Sequence, residues 1–213
     1  MVATSKTPAK TGAKTSSSAK ASGPRNEKLS FTVPGVPVKD GQALAQQLQM
    51  RLHALNDLHL TLKHAHWNVV GPKFIGVHQM LDPQVEAVRA MVDVVAERMR
   101  TMGVAPVGTP GALVQARDWE DYPVMTGQAA EHLAALDIVY TGVIEDHREL
   151  VDSSEEVDPV TQDMLIAQVA ELEKFQWFIR SHLIDDQGEL ATDGAKTIDQ
   201  AVQQGMEADR TVD

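Results

Sequence analysis

The chain is 213 residues long, 43% hydrophobic, and carries a formal net charge of −11, which is enough to bury one sizeable core with tails to spare. It contains no cysteine, which excludes a disulfide framework, a thiolate metal site and a cysteine nucleophile, and fits a reducing cytoplasm. The charge is split: residues 1–28 hold Lys6, Lys10, Lys14, Lys20, Arg25 and Lys28 against Glu27, a net +5, while 13 basic and 29 acidic groups leave the remainder at −16.

The first 28 residues are mostly Lys, Ala, Ser, Thr, Gly and Pro with almost nothing to bury, so a disordered basic arm is expected to about Asn26. The arm holds no apolar run of the kind a secretory signal needs and is too poor in arginine for a transit peptide. No stretch approaches the roughly 20 apolar residues of a membrane span, so a soluble protein with no membrane partner is expected. "LSFTVPGVPV" follows as a short extended or strand-like piece, broken by Pro34 and Pro37.

From Asp40 the pattern turns helical: Leu44, Leu48, Leu52, Leu55, Leu58 and Leu62 recur at steps of three and four until "GPK" stops the helix. A second helix is predicted from about Phe74 to Met102, with Val77, Leu81, Val85, Val88, Val92, Val95 and Met99 as its apolar face. "GVAPVGTPG" ends it, and a connector with a short helix around Ala112–Arg117 leads to a third helix, about Thr126 to Val151, marked by Leu133, Leu136, Val139, Val143 and Leu150. The fourth, about Pro159 to Asp185, carries Leu165, Val169, Leu172, Phe175, Phe178, Ile179 and Leu183, with Pro159 in the first turn where proline is tolerated. The expected fold is therefore all-α, a four-helix bundle over residues 29–187 with a long crossover that carries a short helix. Residues 188–213, polar and mostly acidic, are expected to form a loose tail.

The chemistry concentrates at "HAHWNVVGPKFIGVHQMLD". On the second helix His78, Asp82, Asp93 and Glu97 stand at steps of 4, 11 and 4, which rotate by roughly 40°, 20° and 40° and put all four on one face. Asp82 and Asp93 nevertheless lie about 16 Å apart along the axis, whereas ligands of one ion bind at about 2.0–2.2 Å. One helix therefore cannot hold them around one ion. Two copies packed antiparallel across a twofold axis would bring the His78/Asp82 end of one to the Asp93/Glu97 end of the other. His66, at the end of the first helix, would add a nitrogen. Two imidazoles and three carboxylates without thiolate suit iron or zinc, and open positions suit redox iron. The structural alternative is a solvated face, with Glu86 and Arg89 in an ordinary ion pair.

"HWNVVGPKFIGVHQMLDPQVEAVRAMVDVVAERM" resembles the signature of the Dps family, the DNA-binding proteins of starved cells, small members of the ferritin-like superfamily; "ELEKFQWFIRSHL" resembles the same family. The likeness runs from about Leu29 to Asp186. It implies a hollow shell of twelve subunits that oxidises Fe(II), preferably with hydrogen peroxide rather than dioxygen, and stores the ferric mineral. It implies as ferroxidase ligands His66, His78 and Asp82 of one subunit with Asp93 and Glu97 of the twofold partner. Glu-x-x-His pairs, which build the di-iron site inside one bundle of full-size ferritins, are absent from the chain. Trp67 and Trp177 are expected as core residues, with quenching of oxidising equivalents beside the iron as their functional alternative.

In "DSSEEVDPVTQD" the acids Asp152, Glu155, Glu156, Asp158 and Asp163 favour a helix N-terminus. The resemblance points to Asp158 and Asp163 as lining a threefold pore that admits iron, although Ala167 stands where some relatives carry another acid. The arm's Lys6, Lys10, Lys14, Lys20, Arg25 and Lys28 suit non-specific contact with the phosphates of double-stranded DNA, multiplied by the copies in a shell. A nucleoid-associated cytoplasmic location follows from that reading. The competing account is a nucleoid-compacting DNA-binding protein with a weak or vestigial iron site.

Overall fold

A computed structural model describes residues 29–211 of the chain. The basic arm, with the six side chains assigned to DNA, lies outside them. Eight elements follow in order: α1 Val38–Asn68, β1 Val69–Val70, α2 Phe74–Thr101, α3 Pro110–Ala116, β2 Gly127–Gln128, α4 Ala129–Ser154, α5 Pro159–Arg180 and α6 Ile198–Thr211.

The leucine ladder explains α1. Leu44, Leu48, Leu52, Leu55, Leu58 and Leu62 are all buried, because the three- and four-residue steps keep them on one side of the helix. α2 buries Val77, Leu81, Val85, Val88, Val95 and Met99, α4 buries Leu133, Leu136, Val143 and Leu150, and α5 buries Leu165, Val169, Leu172, Phe175 and Ile179. The four faces close on one core. α1 packs chiefly against α2 and α4 against α5, with the crossover and α3 running between the two hairpins.

α2 continues through Pro83, which removes one backbone N–H from its ladder directly after Asp82. α5 starts at Pro159, whose missing N–H would have had no helical partner at that position. The segment from Leu29 to Pro37 forms no strand. It is held by Leu29 N–H donating to the Gly103 carbonyl and by the Gln42 side chain donating to the Leu29 carbonyl.

The sequence pattern did not announce one further contact: Val69 pairs with Gly127 and Val70 with Gln128 in a short parallel ladder that fastens the end of α1 to the start of α4. The tail, expected to be loose, is not. Its helix α6 packs on α4, burying Ile198 and Ala201. The approach is close enough that a Cβ on Gly205 would lie 2.8 Å from Ala134 Cβ, so a side chain there would force the helices apart. Ahead of α6, the buried Asp137 carboxylate accepts from Gln176 Nε2 at 2.8 Å, Arg180 Nε at 2.7 Å and Thr192 Oγ1 at 2.6 Å. One carboxylate thus joins α4, α5 and the C-terminal segment.

Candidate metal centre

α1 ends at Asn68, and Gly71, with φ of 93°, lets the chain reverse into α2. That short link brings His66 against His78. Their rings stack with centroids 3.6 Å apart, and each Nδ1 donates to the other residue's backbone carbonyl, at 2.8 and 2.9 Å. A carbonyl only accepts, so both rings carry a proton on Nδ1, and Nε2 is the nitrogen whose lone pair a neutral ring would offer to a cation.

Asp82, one helical turn after His78, completes the cluster. One ligand atom from each of His66, His78 and Asp82 lies within 4.8 Å of the other two. His66 is buried, whereas the Asp82 side chain is 52% exposed. Lys63 Nζ donates to Asp82 Oδ1 at 2.7 Å. That hydrogen bond, helped by the positive charge of Lys63 and the nearby imidazoles, holds the Asp82 carboxyl below its ordinary range. Lys63 was missed because lysine is not a ligand type; its position three residues before His66, on the same helix face, was the available signal.

Asp93 and Glu97 share the α2 stripe but are exposed and stand outside this cluster. Beside the cluster lies exposed apolar surface: Trp67 at 69%, Val70 at 43%, Phe74 at 38% and Ile75 at 56%. Trp67 and Trp177, expected in the core, are both largely exposed. Glu86 and Arg89 form the ion pair considered as an alternative, at 3.7 Å.

The two acids assigned to a pore separate. Asp163 is exposed. Asp158 is buried: its carboxylate caps α5 by accepting from Thr161 N–H at 3.2 Å, and also accepts from Thr161 Oγ1 and Arg98. Burial works to raise its pKa, but the hydrogen bonds from Thr161 and Arg98 prevail and hold it low. The Asp158 carboxylate is thus committed to partners within the chain, whereas Asp163 is exposed.

Residues 45–188 match the ferritin-like domain family. The DNA protection during starvation protein of Mycolicibacterium smegmatis is 56% identical over 168 residues, 79% of this chain and 92% of the relative. Among solved structures, Mycobacterium smegmatis Dps superposes with a TM-score of 0.77 at 56% identity, covering 79% of this chain and 97% of that one. DpsA14 from Streptomyces coelicolor gives a TM-score of 0.76 at 54% identity, covering 78% and 99%. With the ferritin-like match spanning most of the bundle and the relatives aligned over nearly their whole length, the chain belongs to the Dps family of ferritin-like proteins.

Proposed function

We propose that this protein stores iron and protects DNA by oxidising Fe(II) at sites shared between two copies of the chain. The observation that carries this reading is the His66, His78 and Asp82 cluster, in which one ligand atom of each residue lies within 4.8 Å of the other two. Three ligands from one chain leave an iron ion open to further donors. Asp93 and Glu97 of a second copy are the natural complement, being exposed, anionic and on the same face of α2. The apolar surface around Trp67, Phe74 and Ile75 supports the same pairing, since a twofold contact there would bury it beside the ions.

Iron enters as substrate. Two Fe(II) ions each give one electron to hydrogen peroxide, which takes up two protons and leaves as water, so that no hydroxyl radical is released. His66 and His78 hold the cation through nitrogen. Asp82 neutralises charge once Lys63 yields its hydrogen bond. Asp163 is the acid offered to a pore, and a dodecameric shell would enclose the ferric product. Zinc suits the same donors and would compete.

DNA contact is assigned to the basic arm, Lys6 through Lys28, because the rest of the chain is at −16 and would repel a polyanion. It also places the protein at the nucleoid. No described helix is long and apolar enough to cross a membrane.

The test is anaerobic loading of the full-length protein with Fe(II), followed by stoichiometric peroxide, with ferric absorbance recorded for wild type and for Asp93→Ala/Glu97→Ala. Rapid oxidation in the first and background in the second is expected. Equal background rates in both would sink the reading.

A further inference from the structure

The C-terminal helix reaches the metal centre from outside the bundle. At its start Ile198 packs with Val124 and Ala135, and about two turns later a Cβ on Gly205 would lie 2.8 Å from Ala134 Cβ and 3.1 Å from the Ala130 carbonyl oxygen. The contact moves toward the beginning of α4 as α6 proceeds, so the two helices run antiparallel. One further turn carries Asp209 to Lys73, whose Nζ donates to Asp209 Oδ1 at 2.6 Å.

Lys73 is the residue from which α2 starts. No side chain caps the helix there, and its first turn holds no acid. The ammonium of Lys73 thus stands at the positive end of the helix dipole, an unfavourable placement that the Asp209 carboxylate offsets. The backbone at this point has few other anchors within the chain. Residues 70–76 are all exposed, and the first α2 side chain to enter the core is Val77. The β1–β2 ladder holds the link at Val69 and Val70, but Gly71, with φ of 93° and wide conformational freedom, separates that ladder from α2.

The metal centre depends on this turn. The Phe74 ring, next to Lys73, lies against the His78 ring with centroids 5.0 Å apart, and Val77 N–H donates to the Lys73 carbonyl at 3.4 Å. A shift of the turn would move both the ring that backs His78 and the helix that carries His78 and Asp82.

We infer that α6 straps the metal centre, with Asp209 and Lys73 as positioning residues: their ion pair fixes the first turn of α2 and so holds His78 and Asp82 where a cation can use both together with His66. The strap rests on the metal-binding reading above and adds to it a remote determinant of affinity. Simple charge and the strap differ in sign at Lys73. Removing a lysine near a cation site should favour the cation, whereas removing the foot of the strap weakens binding.

The test is calorimetric titration of the full-length protein with Zn(II) at pH 7. Loss of binding in His66→Ala/His78→Ala assigns the isotherm to the centre. Lys73→Ala and Asp209→Lys are each expected to weaken Zn(II) binding about two- to fivefold, the scale of one exposed ion pair. Lys73→Glu/Asp209→Lys, which restores the pair with its charges exchanged, is expected to return the affinity to within about twofold of wild type. Zn(II) binding that is absent from wild type, or that survives in His66→Ala/His78→Ala, sinks the metal-centre reading itself. With binding assigned to the centre, unchanged or tighter binding by Lys73→Ala overturns the strap alone, as does a charge-exchanged variant no better than Asp209→Lys.

Discussion

Lys63 Nζ stands 2.7 Å from Asp82 Oδ1, so the carboxylate that would bind a cation is already held by a fixed positive charge. An arriving Fe(II) or Zn(II) must displace that hydrogen bond and tolerate the ammonium nearby. Lys63→Met should tighten Zn(II) binding at pH 7 on the order of fivefold, the scale of one like charge a few ångströms away in water. Asp82 would lose the partner that depresses its pKa and would protonate nearer the ordinary carboxylate range. The gain should therefore shrink as the pH is lowered toward that range. Calorimetric titration at two pH values checks both statements; weaker binding at pH 7 would assign Lys63 a supporting role instead.

A shared site predicts complementation. His66→Ala/His78→Ala and Asp93→Ala/Glu97→Ala should each be inactive alone. Random pairing of equal amounts should restore roughly a quarter of wild-type oxidation, because half of the dimers are mixed and each mixed dimer rebuilds one of its two sites. Co-expression followed by the peroxide assay measures this. Activity no higher than that of the parents would place all ligands in one chain.

Asp137 is 2% exposed and carries three hydrogen bonds from α5 and the C-terminal segment. Asp137→Ala should cost about 2 kcal/mol, at the low end for breaking a buried pair because Arg180 is partly exposed. Faster hydrogen exchange should appear in α6. Urea denaturation and exchange mass spectrometry report the two effects, and unchanged exchange in α6 would mean that its apolar contacts suffice.

His147 is fully buried among Arg51, Asp146 and Gln168. Burial first, then the charge of Arg51, moves its pKa from 6.5 to about 4. The unfolded chain takes up a proton as pH falls through 6.5, while the folded chain resists until about 4. Stability from this residue is therefore full above that window and lost across it, by about 3 kcal/mol in all. His147→Leu should flatten the acid limb of the stability profile by that order, read from urea midpoints between pH 7 and 4.5. An unchanged limb would shift the acid sensitivity to His53 and His132, whose pKa values are also lowered by burial.

Deleting residues 1–28 should abolish retardation of double-stranded DNA in gels while leaving peroxide-dependent iron oxidation intact. In the full-length protein, retardation should fall steeply with added salt and be indifferent to sequence, as phosphate neutralisation requires. Retention of DNA by the truncated protein would move the binding surface to the bundle.

The bundle was legible because its helices bury large apolar residues at helical steps; all six leucines of α1 reached the core. His66, His78 and Asp82 were legible because a short link and one helical turn leave little freedom in where they meet. α6 was not, since it docks through Ala201 and Gly205, small residues that mark a close approach without raising hydrophobicity. Asp158 was legible as an acid at the start of α5, where it caps the helix, but its ion pair with Arg98 was not, because that cation lies 60 residues away in sequence and no local pattern announces such a partner. The β1–β2 ladder escaped for a similar reason: two-residue strands have no period to read.

The reciprocal tie between His66 and His78 makes their two ring orientations a single variable. Neither imidazole can rotate without releasing the backbone carbonyl beside the other. The histidine half of the centre is thus set at the moment the chain folds, before a second copy arrives. In the proposed shared site, Asp93 and Glu97, which are exposed and stand outside the described cluster, would form the compliant half. Such a division lets a changing ionic radius and charge be absorbed on the carboxylate side, while the nitrogen side keeps its aim through repeated turnover.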